Sequence, residues 1–206
     1  MSLFHSDAFL AFRSRDFSLL SVNQLCLILA IMIQEVVIAY SIYQLTQNPL
    51  SLGMIALIEL LPFICLSLIS GDWADRYNRQ KIVQWSFSCS TLIPLLFIVL
   101  FSQYQQQHIQ QNTLLCGIYS LIFCLGILRG IYSPSFNSLR PFLTPESAYS
   151  NAATWTALIW QMGGILAPLC AGLLLGQIGL EKTLFIVFFL CTRQISQNPY
   201  PIRVLP

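Results

Sequence analysis

The sequence predicts an all-α fold, a polytopic membrane helix bundle of five full transmembrane helices and a shortened sixth. Three observations carry this. Of 206 residues, 56% are apolar and 9% are charged, against about 25% charged in a soluble domain. Mean hydropathy is +0.69, so the charges are too few to cover a water-facing surface. Apolar runs of the roughly 20 residues that a spanning helix needs recur along the chain, and Lys and Arg gather in alternate connections between them.

The first sixteen residues carry Asp7, Arg13, Arg15 and Asp16 without a cleavable signal pattern. This segment, 1–16, is read as a cytoplasmic N-terminus. The first apolar run covers 17–44, interrupted by Gln34 and Glu35, and is expected to insert and remain. The next runs cover 50–70, 82–102, 113–133 and about 152–178. A sixth starts at 183 and stops at 191, which is about 14 Å of helix against a hydrocarbon core of about 30 Å. The transmembrane bundle is thus 17–191, and an atypical tail with Pro199, Pro201 and Pro206 fills 192–206. The simplest expectation for this failing sixth helix is a truncated or frame-shifted reading frame. Bare backbone has no partner in lipid, so the runs must be helices. They do not alternate apolar with polar residues, as barrel strands do.

Two connections are long. Gln103 to Gln111 is polar and uncharged and reads as a solvated spacer. Pro134 to Ser147 holds Pro134, Pro141 and Pro145, and is expected to be an ordered connection rather than helix. Of the ten Lys and Arg, Arg13, Arg15, Arg76, Arg79, Lys81, Arg140, Arg193 and Arg203 fall on one side, Lys182 falls opposite, and Arg129 lies within the fourth run. The positive-inside rule makes the N-terminus cytoplasmic in a multi-pass cell (inner) membrane protein.

Seven cysteines lie in or beside apolar runs without CxxC spacing and read as small packing residues. No metal or other cofactor is expected. The two histidines, His5 and His108, lie outside the spans, and neither HExxH nor GxSxG occurs. An intramembrane enzyme therefore lacks its machinery. Absence of a basic–aromatic stripe and of a phosphate-binding glycine loop argues against nucleic acid and ATP.

Three ionisable residues stand inside the runs: Glu35, Glu59 and Arg129. A charge at the bilayer centre costs at least about 2.5–3.5 kcal/mol on insertion scales, so such residues face the bundle interior or water. Glu35 and Glu59 are candidates to load and release a proton, with Arg129 as their partner. The plainer reading is an interhelix salt bridge. Gln34, Asn23 and Gln161 are candidate cavity residues.

The stretch "GDWADRYNRQK" packs five of the eighteen charges into Gly71 to Lys81. Asp72 precedes Arg76 by four residues, and Asp75 precedes Arg79 by four, the favourable order for helical pairs. In "GGILAPLCAG", Gly163, Ala167 and Ala171 recur every four residues, as do Gly164, Pro168, Gly172 and Gly176. Small residues at this spacing let helices approach closely.

With these two motifs the chain resembles the major facilitator superfamily, in its drug and siderophore exporter branch, from about Phe12 to Leu190. The first stretch is similar to the signature loop G-x-x-x-D-R-x-G-R-[RK]. Gly71, Asp75, Arg76 and Arg79 match it. Asn78 stands for the later glycine, where its tolerance of left-handed backbone is expected to preserve the turn. The second is similar to the antiporter motif G-x-x-x-G-P-x-x-G-G. Gly163, Pro168 and Gly172 match it, and Ala167 and Ala171 replace glycines.

The resemblance implies the N-terminal half of the major facilitator fold. It also implies a gating role for the loop between helices 2 and 3, and proton-coupled export of a small molecule. Arg129 resembles the fourth-helix arginine that the superfamily links to proton transfer. The implied partners are the lipid bilayer, a small-molecule substrate and protons. A missing C-terminal half, or a second copy, would complete the cavity, and without it the chain is expected not to transport. The alternative is a helical assembly subunit without transport activity of its own.

Overall fold

The computed structural model describes residues 15–76, 78–139 and 149–196. Six helices follow in order: α1 Arg15–Thr46, α2 Leu50–Arg76, α3 Arg79–Gln105, α4 Gln111–Leu139, α5 Tyr149–Ile178 and α6 Leu180–Ser196. Five are long and apolar enough to cross a membrane, with spans Gln24–Thr46, Leu50–Asp72, Lys81–Gln105, Gln111–Pro134 and Ala153–Ile178.

The packing repeats between the two triplets. α2 lies on α4 as α5 lies on α1, α3 lies on α4 as α6 lies on α1, and α3 and α6 meet each other. Nested three-helix repeats of this kind are one way to build a transporter half. The shared core includes Val37 and Ile42 of α1, Phe97 of α3, Ile118 of α4 and Leu184 of α6, all fully buried. α2 buries little and leaves Leu57, Leu61, Ile64 and Leu68 on the outside of the bundle, as a helix bathed in lipid can. Several hydroxyls within the spans donate to the backbone of their own helix. Ser41 Oγ donates to the Val37 carbonyl at 2.7 Å, and Ser120 Oγ donates to that of Cys116 at 2.8 Å.

The helix boundaries correct four expectations. Pro134 belongs to α4, not to a connection, since α4 continues to Leu139. A proline lacks the N–H that would reach the carbonyl four residues back, here Gly130. Ser70 Oγ of α2 donates to that carbonyl at 2.7 Å, so the helix passes the proline without a bare acceptor. Pro141, Pro145 and Arg140 lie outside the described residues.

The sixth helix is 17 residues long rather than nine. It starts early because Gly179, at φ 80°, reverses the chain in one residue, a conformation that costs glycine nothing. It also continues beyond Cys191, because 192–196 contain no proline and Thr192 Oγ1 donates to the Phe189 carbonyl at 2.8 Å. At about 25 Å it still falls short of the hydrocarbon thickness. The remainder of the tail, 197–206, lies outside the described residues, as does 1–14.

The charged stretch after helix 2 is mostly helix, since α2 runs on to Arg76 and α3 starts at Arg79. Asn78 does not adopt a left-handed conformation, since Gln47 and Gln107 are the non-glycine residues at positive φ among those described. It caps α3 instead. Its carbonyl accepts from Ile82 N at 3.2 Å, and Oδ1 lies 3.4 Å from Lys81 N. An N-cap asparagine occupies the first turn in this way.

At the opposite end of the bundle, Asn48 Oδ1 accepts from Leu50 N at 3.0 Å and starts α2. The Gln-rich segment is shorter than its sequence implies, because α3 and α4 absorb both of its ends. Gln111 Nε2 donates to the Leu45 carbonyl of α1 at 2.6 Å, so the segment is tied to its neighbour rather than being a mere spacer.

Candidate functional site

Glu35 on α1, Glu59 on α2 and Arg129 on α4 converge. Arg129 Nη2 donates to Glu35 Oε1 at 2.6 Å, and Arg129 Nη1 stands against Glu59 Oε1. All three residues lie inside membrane-spanning segments. Glu59 is the more enclosed acid, with 17% of its side chain exposed, while Glu35 is 44% exposed. One guanidinium therefore serves two carboxylates, and with both ionised the cluster carries one net negative charge. Bringing ions to this depth costs several kcal/mol each unless they are paired. That cost explains why three charges from distant parts of the sequence share one place.

Two glycines that the sequence reading passed over set this geometry. A Cβ on Gly126 would lie 2.4 Å from the Glu59 carbonyl oxygen and 2.7 Å from Pro62 Cγ. On Gly130 it would lie 2.9 Å from Leu66 Cβ and 3.0 Å from the Phe63 carbonyl oxygen. The backbones of α2 and α4 are therefore in direct contact, and Glu59 is carried onto the helix that bears Arg129. The spacing Gly126-x-x-x-Gly130 was the available signal.

The helix 5 motif divides between two faces. Gly163, Ala167 and Ala171 face α1. A Cβ on Gly163 would stand 2.3 Å from Ile28 Cγ2, and both alanines are fully buried. Pro168 is exposed, and nothing lies within 4 Å of a Cβ added to Gly164, Gly172 or Gly176. The first row packs this bundle, and the second leaves an open strip on its surface.

Of the loop residues, Gly71 is an interior position of α2 with open space around it. Asp75 and Arg76 end α2 and Arg79 begins α3. Their side chains lie outside the described residues, as does that of Asn23. Gln34 is buried beside Arg129 in the wall of a small cavity, whereas Gln161 lies on the outer surface.

The profile of the Major Facilitator Superfamily matches residues 20–192. The chain belongs to the Major Facilitator Superfamily. Among its relatives is the staphyloferrin A transporter of Staphylococcus aureus (strain NCTC 8325 / PS 47), 25% identical over 128 residues, which are 62% of this chain and 31% of that protein. The uncharacterized MFS-type transporter YkuC of Bacillus subtilis (strain 168) is 26% identical over 132 residues, 62% of this chain and 28% of that one. YfiS, another uncharacterized MFS-type transporter of that organism, is 24% identical over 157 residues, 75% of this chain and 35% of the relative. The chain thus spans about a third of the length of the curated relatives it matches. No solved structure matches. This superfamily membership agrees with the multi-pass helical architecture.

Proposed function

We propose that this bundle is one half of a secondary transporter that exports a small molecule, of drug or siderophore type, in exchange for protons. In this reading Glu35, Glu59 and Arg129 form the coupling cluster. The supporting observation is the single guanidinium shared by two carboxylates at bilayer depth. A proton taken up by either acid cancels the net negative charge and releases Arg129 from that acid. The helices bearing the two groups are then free to part. Loss of the proton restores the pair and draws the helices together. Siderophore-type cargo is suggested by the staphyloferrin A transporter among the relatives.

Transport also needs a wall facing this bundle. We assign that wall to a second six-helix half, supplied by further chain, another polypeptide or a second copy. The gating role of Gly71, Asp75, Arg76 and Arg79 belongs to the same reading, as does a cytoplasmic N-terminus in the inner membrane.

The test uses a full-length relative with an acid at the Glu59 position. Its substitution by Gln abolishes pH-gradient-driven efflux while expression is unchanged; undiminished efflux would remove the proton role. Vesicles containing this chain alone show no gradient-driven flux, and clear flux would overturn the need for a second half. A membrane partner that co-purifies stably in mild detergent, without flux from the assembled pair, would favour the assembly-subunit alternative.

A further inference from the structure

A guanidinium has five N–H donors, and the two carboxylate contacts of Arg129 do not use them all. Beside Arg129 lies a cavity of about 30 Å³. Neither Glu35 nor Glu59 lines it. Its wall includes Gln34 of α1, Ser90 and Thr91 of α3, and Arg129 and Tyr132 of α4. Thr91 Oγ1 donates to the Phe87 carbonyl at 2.8 Å, which leaves its lone pairs free to accept. Pro94 lies inside α3 and lacks the N–H that would have served the Ser90 carbonyl. A water needs about 10–15 Å³ of such space and two to four polar partners. This cavity meets both conditions, whereas a dry cavity of similar size would be lined by apolar groups alone.

We propose that this cavity is an internal water site, holding one or two waters that hydrate the Arg129 guanidinium on the side its carboxylates do not occupy. The acceptors that fix the water are the hydroxyls of Ser90, Thr91 and Tyr132 and the amide of Gln34. Water there lowers the cost of keeping a permanent cation at bilayer depth, because the donors that the acids leave over are satisfied. The site concerns the hydration of Arg129 and stands whether or not the cluster moves protons.

Millisecond X-ray radiolysis tests it, because hydroxyl radicals form from bound water and oxidise the side chains beside it. The full chain is irradiated in lipid nanodiscs, and the modified residues are located by mass spectrometry. Phe87 and Tyr132 line the cavity, while Phe97, on the same helix as Phe87, is fully buried in the core. Phe87 is expected to be oxidised several-fold faster than Phe97. Thr91→Val with Ser90→Ala, which removes two acceptors, is expected to bring Phe87 and Tyr132 down toward the Phe97 rate, with labelling of the Gln106–Gln110 connection unchanged. Equal rates for Phe87 and Phe97 in the unaltered chain would overturn the proposal. So would fast labelling that persists in the double variant, since that would come from bulk solvent. If the double variant does not fold, Thr91→Val alone, which removes one acceptor, makes the same comparison.

Discussion

The hydroxyl of Ser70 on α2 donates to the main-chain carbonyl of Gly130 on α4 at 2.7 Å, the acceptor that Pro134 leaves without its helical donor. The bond lets α4 pass a proline and joins it to α2 at the same point. Ser70→Ala strands a buried acceptor and is expected to cost about 1–3 kcal/mol. Unfolding of the purified chain in mixed micelles measures this. In a Pro134→Ala background the restored N–H takes over the acceptor, so the same Ser70→Ala change is expected to cost less than half as much. Equal costs in both backgrounds would show that the hydroxyl serves some other purpose.

The glycines make a second, differential prediction. Gly126→Ala drives a Cβ into the Glu59 carbonyl, a backbone atom that moves only with its helix, and is expected to cost about 1–3 kcal/mol. Gly164→Ala and Gly172→Ala add a methyl to open space. They are expected to be neutral or to stabilise by up to about 1 kcal/mol, because alanine is the better helix former. Gly163→Ala meets the Ile28 side chain, so Ile28→Ala is expected to recover part of its loss. Similar midpoint shifts for Gly126→Ala and Gly172→Ala would contradict the assigned faces of α4 and α5.

The ion cluster is expected to be strongly non-additive. Arg129→Leu leaves two uncompensated carboxylates inside the bundle and is expected to cost about 3–5 kcal/mol. Adding Glu35→Gln and Glu59→Gln removes those charges, and the triple variant is expected to regain more than half of the loss. If the three changes simply add, Glu35 and Glu59 do not depend on Arg129 for their stability.

Asn78 distinguishes a cap from a left-handed turn. As the cap of α3, its replacement by Ala is expected to cost about 1 kcal/mol, while Asp retains the stability and Gly loses only a few tenths. A left-handed position would make Gly the best residue of all. The order of thermal midpoints for the Asp, Gly and Ala variants in one detergent separates the two cases.

The sixth helix and Pro134 show where local reading stops. A proline in a lipid-depth run reads as a break, because the sequence nearby contains no donor for the orphaned carbonyl. That donor, Ser70, is 60 residues away, and only packing reveals it. α6 was legible as an apolar segment of nine residues, but its length depends on a one-residue turn at Gly179 and on polar residues that remain helical beyond the apolar run. The divided motif on α5 is similar. Its spacing announces close contact, and the position of α1 decides which row receives it.

By itself, the sequence determined that this is an all-helical membrane bundle, and that Glu35, Glu59 and Arg129 need partners. Composition, run length and the cost of a buried charge are properties of the residues and the bilayer, and none requires a neighbour to be known. The tertiary structure alone decided that one guanidinium meets both acids, and that Gly126 and Gly130 make this possible by letting backbone touch backbone. It also decided that polar side chains of α1, α3 and α4 meet, among apolar ones, around a water-sized space beside Arg129. These are relations between groups tens of residues apart, set by how helices pack, and no local pattern encodes them.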